Sequence, residues 1–547
     1  MQALWRGLNR SVLGSGAAIW LILALAAGLR FYAISLPYLW TDEAFTALVS
    51  VQSPSAIWFH MGHDVHPPLY FLMLHVWILA FGDSVLAIRA MSAVAGVVAV
   101  ALGIWLMRLI TTPRLAALAG LFMALLPISV RYGQEARMYA LEAVWLLGAT
   151  LFLVHWLRTA RDRHLAGYAL LVTAALYTHY LAIVGVLSHF IYLIVLRFQA
   201  DSTLHVLSRP RLWIAYLAIA LAYVPWLLSL VDEVFVNTEA FKTGGEIFWI
   251  PESTVYTLPS AIWRFLTLDS RAGLYGPVYL LVPAGLVASA LWVLKGDRSR
   301  LRFGAMLFIY SFVPLLAVFL ASFAFPVFVE RYIAFAAIGQ VMILALAVGK
   351  AARRSRVLAW SAVVLILGLE CVGLNTAYTQ QDDLDDPRNE AADPLDRIVA
   401  SIRERSVEGD AIIVHGGYWY YSVAYYSRSG IRPLLYEPAW DATTANRPNG
   451  YGSSTLIFAE RDRLFLEDLS ALPDTAKRVW WVTSDHSPAS SARIPQNWRC
   501  VQILGDGEIE LRLYEVSRGA AQTLDAENNP VRTPPKASAA TGGSIGG

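Results

Sequence analysis

A chain of 547 residues that is 57% hydrophobic and only 15% charged, with a mean hydropathy of +0.50, has more apolar surface than a water-soluble fold of this size can hide. That composition excludes a soluble globular protein and reads as a polytopic membrane protein. The net charge of +2 carries little information, because charges are segregated along the chain, and Cys371 and Cys500 are too few for a disulfide framework and read as free thiols.

In chain order, Met1 to Arg10 and the apolar run behind it resemble a signal peptide. No small-residue cleavage pattern closes that run before Arg30-Phe31-Tyr32, so it reads as an uncleaved first span. Runs long enough to cross a bilayer, at ~20 residues each, occur near 15–35, 84–107, 115–130, 140–157, 165–180, 181–197, 212–231, 275–294, 303–323, 333–349 and 357–375. About eleven spans are therefore expected.

Charge placement orients them. Alternate loops carry Arg6/Arg10, Arg108/Arg114, Arg158/Arg161/Arg163, Arg197/Arg209/Arg211, Lys295/Arg298/Arg300/Arg302 and Lys350/Arg353/Arg354/Arg356. The opposite loops hold only Arg131, Arg137, Lys242, Arg264, Arg271 and Arg331. The positive-inside rule places the N-terminus in the cytoplasm, and an odd number of spans places everything after 375 outside.

The first outer loop opens with Trp40-Thr41-Asp42-Glu43, in a segment, 37–83, with no Lys or Arg. Adjacent carboxylates cannot face one point from a helix or strand, so one can act as a general base on a hydroxyl while the other supports it. The same residues are equally suited to open a helix running to Ser50, with Thr41 or Asp42 as its cap; the two readings are compatible. Next comes Asp64-Val-His66-Pro67-Pro68. The proline pair fixes an extended turn, from which Asp64 and His66 point off a stiff backbone and are candidates to hold a divalent cation or a phosphate-bearing group. Alternatively, the prolines merely start a helix. The apolar stretch 67–82 is short for a span and reads as an interfacial helix, with Trp58, Tyr70 and Trp77 at headgroup level.

Arg131-Tyr132-Gly-Gln134-Glu135-Ala-Arg137-Met-Tyr139 interrupts two spans on the outer side. Arg137 suits bidentate phosphate binding and Glu135 suits orienting it, although an ion-paired turn between helices reads the same way. Glu330-Arg331-Tyr332 offers a second cation on that side, or a snorkelling Arg beside an aromatic-belt Tyr. Tyr177-Thr-His179-Tyr180 gives a further cluster, where a single His is more often structural. These clusters all map to one membrane face and together describe a pocket with carboxylates on one side and arginines on the other. Such a pocket suits a lipid-linked anion, with arginines holding the leaving phosphate while a carboxylate activates the acceptor.

From 376 the composition changes. Gln380 to Pro387 is an acidic linker, and Ala411–His415, Tyr418–Ser427, Pro433–Tyr436, Arg478–Thr483 and Gln502–Val516 alternate strand-like and helix-like patterns. The expected domains are a membrane domain over 1–375, a small extracytoplasmic α/β domain over 376–517 and a disordered Ala/Gly/Pro/Ser/Thr-rich tail over 518–547.

At these motifs the chain resembles the GT-C class of membrane glycosyltransferases. Within it, the chain is similar to the glycosyltransferase 39 or PMT-2 family, the dolichyl-phosphate-mannose protein mannosyltransferase and ArnT-like branch. The resemblance rests on Leu39-Trp40-Thr41-Asp42-Glu43-Ala44, Asp64-Val-His66-Pro67-Pro68-Leu69-Tyr70, Phe81 to Arg89, Tyr132 to Tyr139 and Arg331-Tyr332, and covers roughly 20–350. It implies a GT-C fold and a sugar donor carried on polyprenyl phosphate, usually with inversion at the anomeric carbon. It makes Asp42 the base and Asp64 a second active-site carboxylate. The Asp-x-His before the prolines is as in protein mannosyltransferases, whereas the lipid A branch has a Lys there; the acceptor (protein, lipid or cell-envelope glycan) stays open.

The expectation is therefore a multi-pass enzyme of the cell (inner) membrane, a hexosyl- or pentosyltransferase with its active site outside. Its partners are a polyprenyl-phosphate sugar, an acceptor and membrane lipids, and no nucleic acid. Asp42, Glu43 and Asp64 are the candidate catalytic residues. His66, Gln134, Glu135, Arg137, Tyr139, His179, Arg331 and Tyr332 are the candidate substrate-binding residues, and Asp64 and His66 the candidate ligands of a divalent cation. The loop 232–274, with Lys242, Phe248-Trp249-Ile250 and Arg271, is a candidate cover for the carrier lipid. The competing reading is a transporter or flippase of lipid-linked or anionic substrates, which calls for ionisable groups in mid-helix and broken helices in repeated halves.

Overall fold

The computed structural model describes residues 16–198, 206–242 (backbone only from 233), 250, 252–269, 276, 279–382, 384, 395–427, 429–438, 447–472, 476–484, 494–504, 509–517 and 532–533. The chain forms two compact units. One comprises 1–35 and 49–387, the other 36–48 and 388–547. Residues 36–48 thus pack with the C-terminal part of the chain.

In the first unit each apolar run contains a helix. These are α1 (Gly16–Phe31), α5 (Val85–Ile110), α6 (Pro113–Leu125) with α7 (Pro127–Gly133), α8 (Tyr139–Thr159), α9 (Asp162–Leu176), α10 (Ala182–Arg197), α11 (Pro210–Lys242), α13 (Leu281–Lys295), α14 (Phe303–Ala321), α15 (Phe335–Ala351) and α16 (Arg356–Tyr378). Among the described residues, five helices are long and apolar enough to cross a membrane: α5, α8, α11 over Pro210–Asp232, α14 and α16. The bent pair α6–α7 makes six. Short helices α3 (Pro54–Met61), α4 (Leu69–Phe81) and α12 (Thr257–Thr267) lie between them in sequence, while α2 (Thr41–Ser50) begins in the second unit.

The 56° bend between α6 and α7 follows from Pro127, which cannot donate to the preceding turn. Arg30 of α1 takes up the carbonyls freed there. It donates to Ala124 O at 3.2 Å and to Ser129 Oγ at 3.1 Å, which explains a fully buried arginine in an apolar helix. Gly96 leaves room for that side chain, since a Cβ there would lie 2.5 Å from Arg30 Nε. Behind the bend follows the polar stretch that contains Arg131, Gln134 and Arg137, of which Arg131 and Arg137 are buried.

Helix α4 is 13 residues long, about 20 Å at 1.5 Å per residue and short of a hydrocarbon core of ~30 Å. Tyr70, expected at headgroup level, is instead fully buried and bonds Ser92 Oγ at 3.2 Å.

The second unit holds α17 (Leu395–Arg405) and α18 (Gly417–Ser427) beside a seven-stranded mixed sheet of order β3-β2-β1-β4-β6-β5-β7. Its strands are β1 (Asp410–His415), β2 (Leu434–Tyr436), β3 (Phe465–Leu466), β4 (Arg478–Ser484), β5 (Trp498–Leu504), β6 (Ile509–Val516) and β7 (Arg532–Thr533). Strands β3, β2, β1 and β4 are parallel, whereas β6 runs against β4 and β5. Ile413, Tyr436, Val479, Trp481 and Tyr514 fill the core against this sheet. The run Gln502–Val516, expected as one piece, is two strands with Gly505-Asp506-Gly507 between them in sequence, a hairpin composition. The expected tail 518–547 lies outside the described residues apart from β7. So do Phe248, Trp249 and Arg271 of the expected lipid cover, and most of the acidic linker.

Candidate active site

In the first unit the 62–68 turn, α8 and the 177–181 turn converge. His66 is set by Pro67-Pro68 and by Leu69, whose N–H donates to Tyr177 O at 3.0 Å. Its Nδ1 lies 3.0 Å from Asp64 Oδ2, and its Nε2 lies 2.9 Å from an Nη of Arg137. All three residues are buried. A guanidinium only donates, so His66 Nε2 is the acceptor and the ring proton sits on Nδ1, directed at Asp64. The chain Asp64–His66–Arg137 thus joins a carboxylate to a cation through one neutral imidazole. Burial pushes the Asp64 carboxyl up to about 6, with Arg137 and the Val65 N–H pulling it back down. Arg137 is also anchored from behind, because its carbonyl accepts from Ser92 Oγ at 3.1 Å.

Arg137 leads into Tyr139, at the start of α8. The Tyr139 ring lies 5.8 Å from His179 and 6.3 Å from Tyr332, and His179 lies 5.1 Å from Tyr332. The Arg331 guanidinium sits over the Tyr332 ring at 5.4 Å. Asp64, His66, Arg137, Tyr139, His179, Arg331 and Tyr332 therefore share one neighbourhood, drawn from parts of the chain more than 260 residues apart.

Other candidates sit elsewhere. Gln134 Nε2 donates to the carbonyls of Tyr32 at 2.7 Å and Arg30 at 3.2 Å, closing the end of α1. Glu135 accepts from Arg131 at 2.6 Å, and Arg131 also binds Asp382 at 3.1 Å, so Glu135 belongs to a structural ion triad. Asp42 and Glu43 occupy the first turn of α2, in the second unit, with Glu43 buried.

The pair Asp64–His66 does not fit a divalent cation. Nδ1 gives its proton to Asp64, and the remaining lone pair on Nε2 points at a guanidinium, where a metal would meet a positive charge. Among the described residues no group of three or more His, Cys, Asp or Glu side chains is placed to hold a metal.

Glu142 and Glu370 escaped the sequence reading, and Glu330 was named in it without a role of its own. Glu142, one turn into α8, lies 3.4 Å from His179 Nδ1. Glu330, beside Arg331, pairs with Arg264 at 2.7 Å. Glu370, fully buried in α16, has no hydrogen-bond partner on either carboxylate oxygen. A lone carboxylate in an apolar run is itself the signal for the first and last.

The profile of the family described as dolichyl-phosphate-mannose-protein mannosyltransferase matches residues 65–228. That stretch contains His66, Gln134, Glu135, Arg137, Tyr139 and His179, and leaves out Asp42, Glu43, Asp64, Arg331 and Tyr332. A comparison with curated protein sequences finds no match. Among solved structures, ArnT from Cupriavidus metallidurans in the apo state superposes with a TM-score of 0.62 at 15% identity, over 91% of this chain and 98% of that one. The same protein bound to undecaprenyl phosphate gives 0.58 at 14%, over 92% and 99%.

At such low identity the likeness speaks to the fold alone, and the fold is that of the ArnT structures. The family profile matches part of the chain, residues 65–228, and that part carries several of the motifs on which the resemblance to the PMT-2 family rests.

Proposed function

We propose that this protein transfers a sugar from a polyprenyl-phosphate carrier to an acceptor hydroxyl at the extracytoplasmic face of the cell (inner) membrane, with about eleven spans and the N-terminus inside. The observation that carries this reading is the Asp64–His66–Arg137 chain beside Tyr139, His179, Tyr332 and Arg331. Two arginines supply positive charge for a phosphodiester, and aromatic faces supply a surface for a sugar ring. Undecaprenyl phosphate in the ArnT relative supports a carrier of that chemistry.

In this mechanism the acceptor oxygen attacks the anomeric carbon as the bond from that carbon to the phosphate oxygen breaks, with inversion. The bonding pair leaves on the carrier phosphate, where Arg137 and Arg331 receive the charge. The acceptor proton passes to Asp42, with Glu43 in support. His66, kept neutral with its proton toward Asp64, holds Arg137 in one orientation, so the cation is pre-set where charge develops. Protein, lipid and envelope-glycan acceptors all present the hydroxyl required.

The test is turnover of radiolabelled polyprenyl-phosphate sugars by purified protein, beside Asp42→Asn. We expect the variant to fold and bind donor but to lose about a thousandfold or more in transfer and donor hydrolysis. Full activity in Asp42→Asn removes the base from the proposal. Absence of donor binding by the native protein sinks the donor assignment.

A further inference from the structure

Helix α18 is an odd sequence for a helix that covers a sheet: six of its eleven residues, Gly417 to Ser427, are Tyr or Trp. The sheet side uses only some of them; Tyr420, for example, donates its hydroxyl to Pro433 O at 3.1 Å within the domain. Four of the others, Tyr418, Trp419, Tyr421 and Tyr426, meet the segment 38–45. The Tyr426 hydroxyl accepts from the Leu39 N–H at 2.8 Å, and Thr41 Oγ1 donates to the Tyr418 carbonyl. The Tyr38 ring lies 6.2 Å from Trp419, and the Phe45 ring stands edge-on to Tyr421 at 5.6 Å. Tyr38, Leu39 and Phe45 are all buried. Contacts therefore fall on both sides of Asp42, two of them hydrogen bonds within three residues of it, along about 12 Å of one helix.

We propose that α18 is a clamp that positions the Asp42–Glu43 segment, and that Tyr426 is its key positioning residue. This rests on the proposed role of Asp42 as base. A free loop of this kind would sample many conformers, and a base displaced by about 1 Å loses on the order of a hundredfold in rate. Two hydrogen bonds and two aromatic contacts remove that freedom. The Leu39 N–H is in a dry site, where losing its partner leaves a buried donor unsatisfied. The C-terminal part of the chain thereby acquires a task in catalysis even where it does not touch substrate.

Tyr426→Phe removes one oxygen and keeps the ring, and Tyr420→Phe makes the same change on the face of α18 that serves the domain. Amide hydrogen exchange of the full-length protein in detergent reads the clamp directly, over peptides covering 36–48. We expect about tenfold faster exchange there in Tyr426→Phe and native rates in Tyr420→Phe. With radiolabelled polyprenyl-phosphate sugar, kcat should fall about tenfold in Tyr426→Phe with donor KM within about twofold, and stay native in Tyr420→Phe. Unchanged exchange over 36–48 overturns the clamp, and loosened exchange with native kcat overturns its positioning role. If the native protein turns over no donor, faster exchange still upholds the clamp, and the failure falls on the transferase reading.

Discussion

Two acid centres in this molecule are held in opposite ways. Asp64 is fixed by its own neighbourhood: two prolines stiffen the turn, a histidine two residues away donates a hydrogen bond to it, and Arg137 closes the chain. Asp42 and Glu43 sit on a segment whose order comes from residues some 380 positions downstream. The first arrangement places a charge by electrostatics in a dry site, where geometry and ionisation are coupled. The second places a carboxylate through packing and hydrogen bonds on either side of it in sequence.

The largest effect that separates them is expected at the cation. Arg137→Ala leaves His66 Nε2 without its donor and the leaving phosphate without its charge, so transfer should fall about a hundred- to a thousandfold with a raised donor KM. Arg137→Lys should recover only part of that loss, because an ammonium cannot reproduce the guanidinium fork. Steady-state kinetics on both variants checks this, and a native kcat in Arg137→Ala removes the Asp64–His66–Arg137 chain from the chemistry.

Asp64 should show itself through pH. Its carboxyl is raised from an ordinary 3.8 to about 6, so the folded protein holds that proton more tightly than the unfolded chain does. The cost to stability is absent below 3.8, grows as pH rises, and is complete above about 6. Activity moves the other way, since the ionised form is the one that anchors His66. We expect kcat to have an acid limb near 6, and Asp64→Asn to lose that limb while running about ten- to a hundredfold below the native plateau. A limb that persists unchanged in Asp64→Asn belongs to another group.

Much of the first centre was legible in the sequence, because its logic is local. A proline pair after Asp-x-His and an arginine in a polar break between apolar runs both advertise themselves, and charge bias puts them on one side. Helix positions were legible for the same reason: each apolar run contains a helix. Pairings between segments were not. Nothing in Gly417 to Ser427 says that its aromatic rings serve residues 38–45, since periodicity reports that a face is buried and not what buries it. Nor does the sequence say that Gln134 closes a helix end and that Glu135 joins an ion triad with Arg131 and Asp382. Arg30 and Glu370 vanish into runs whose average hydropathy hides a single charge.

Glu370 is a buried acid of another kind, neither paired like Asp64 nor carried on a short helix of the second unit like Asp42, and it supplies the smallest and sharpest contrast. Buried carboxyl oxygens without partners cost a fold about 1–3 kcal/mol. Glu370→Leu should therefore leave transfer within about twofold and raise the apparent thermal midpoint in detergent by ~1–2 °C. Asp64→Leu, breaking a hydrogen-bonded chain, should lower the midpoint and abolish turnover. Should Glu370→Leu instead fold normally and lose function, a mid-helix carboxylate would be doing what transporters ask of such groups, and the competing reading of this chain as a carrier of lipid-linked anions would gain its first structural support.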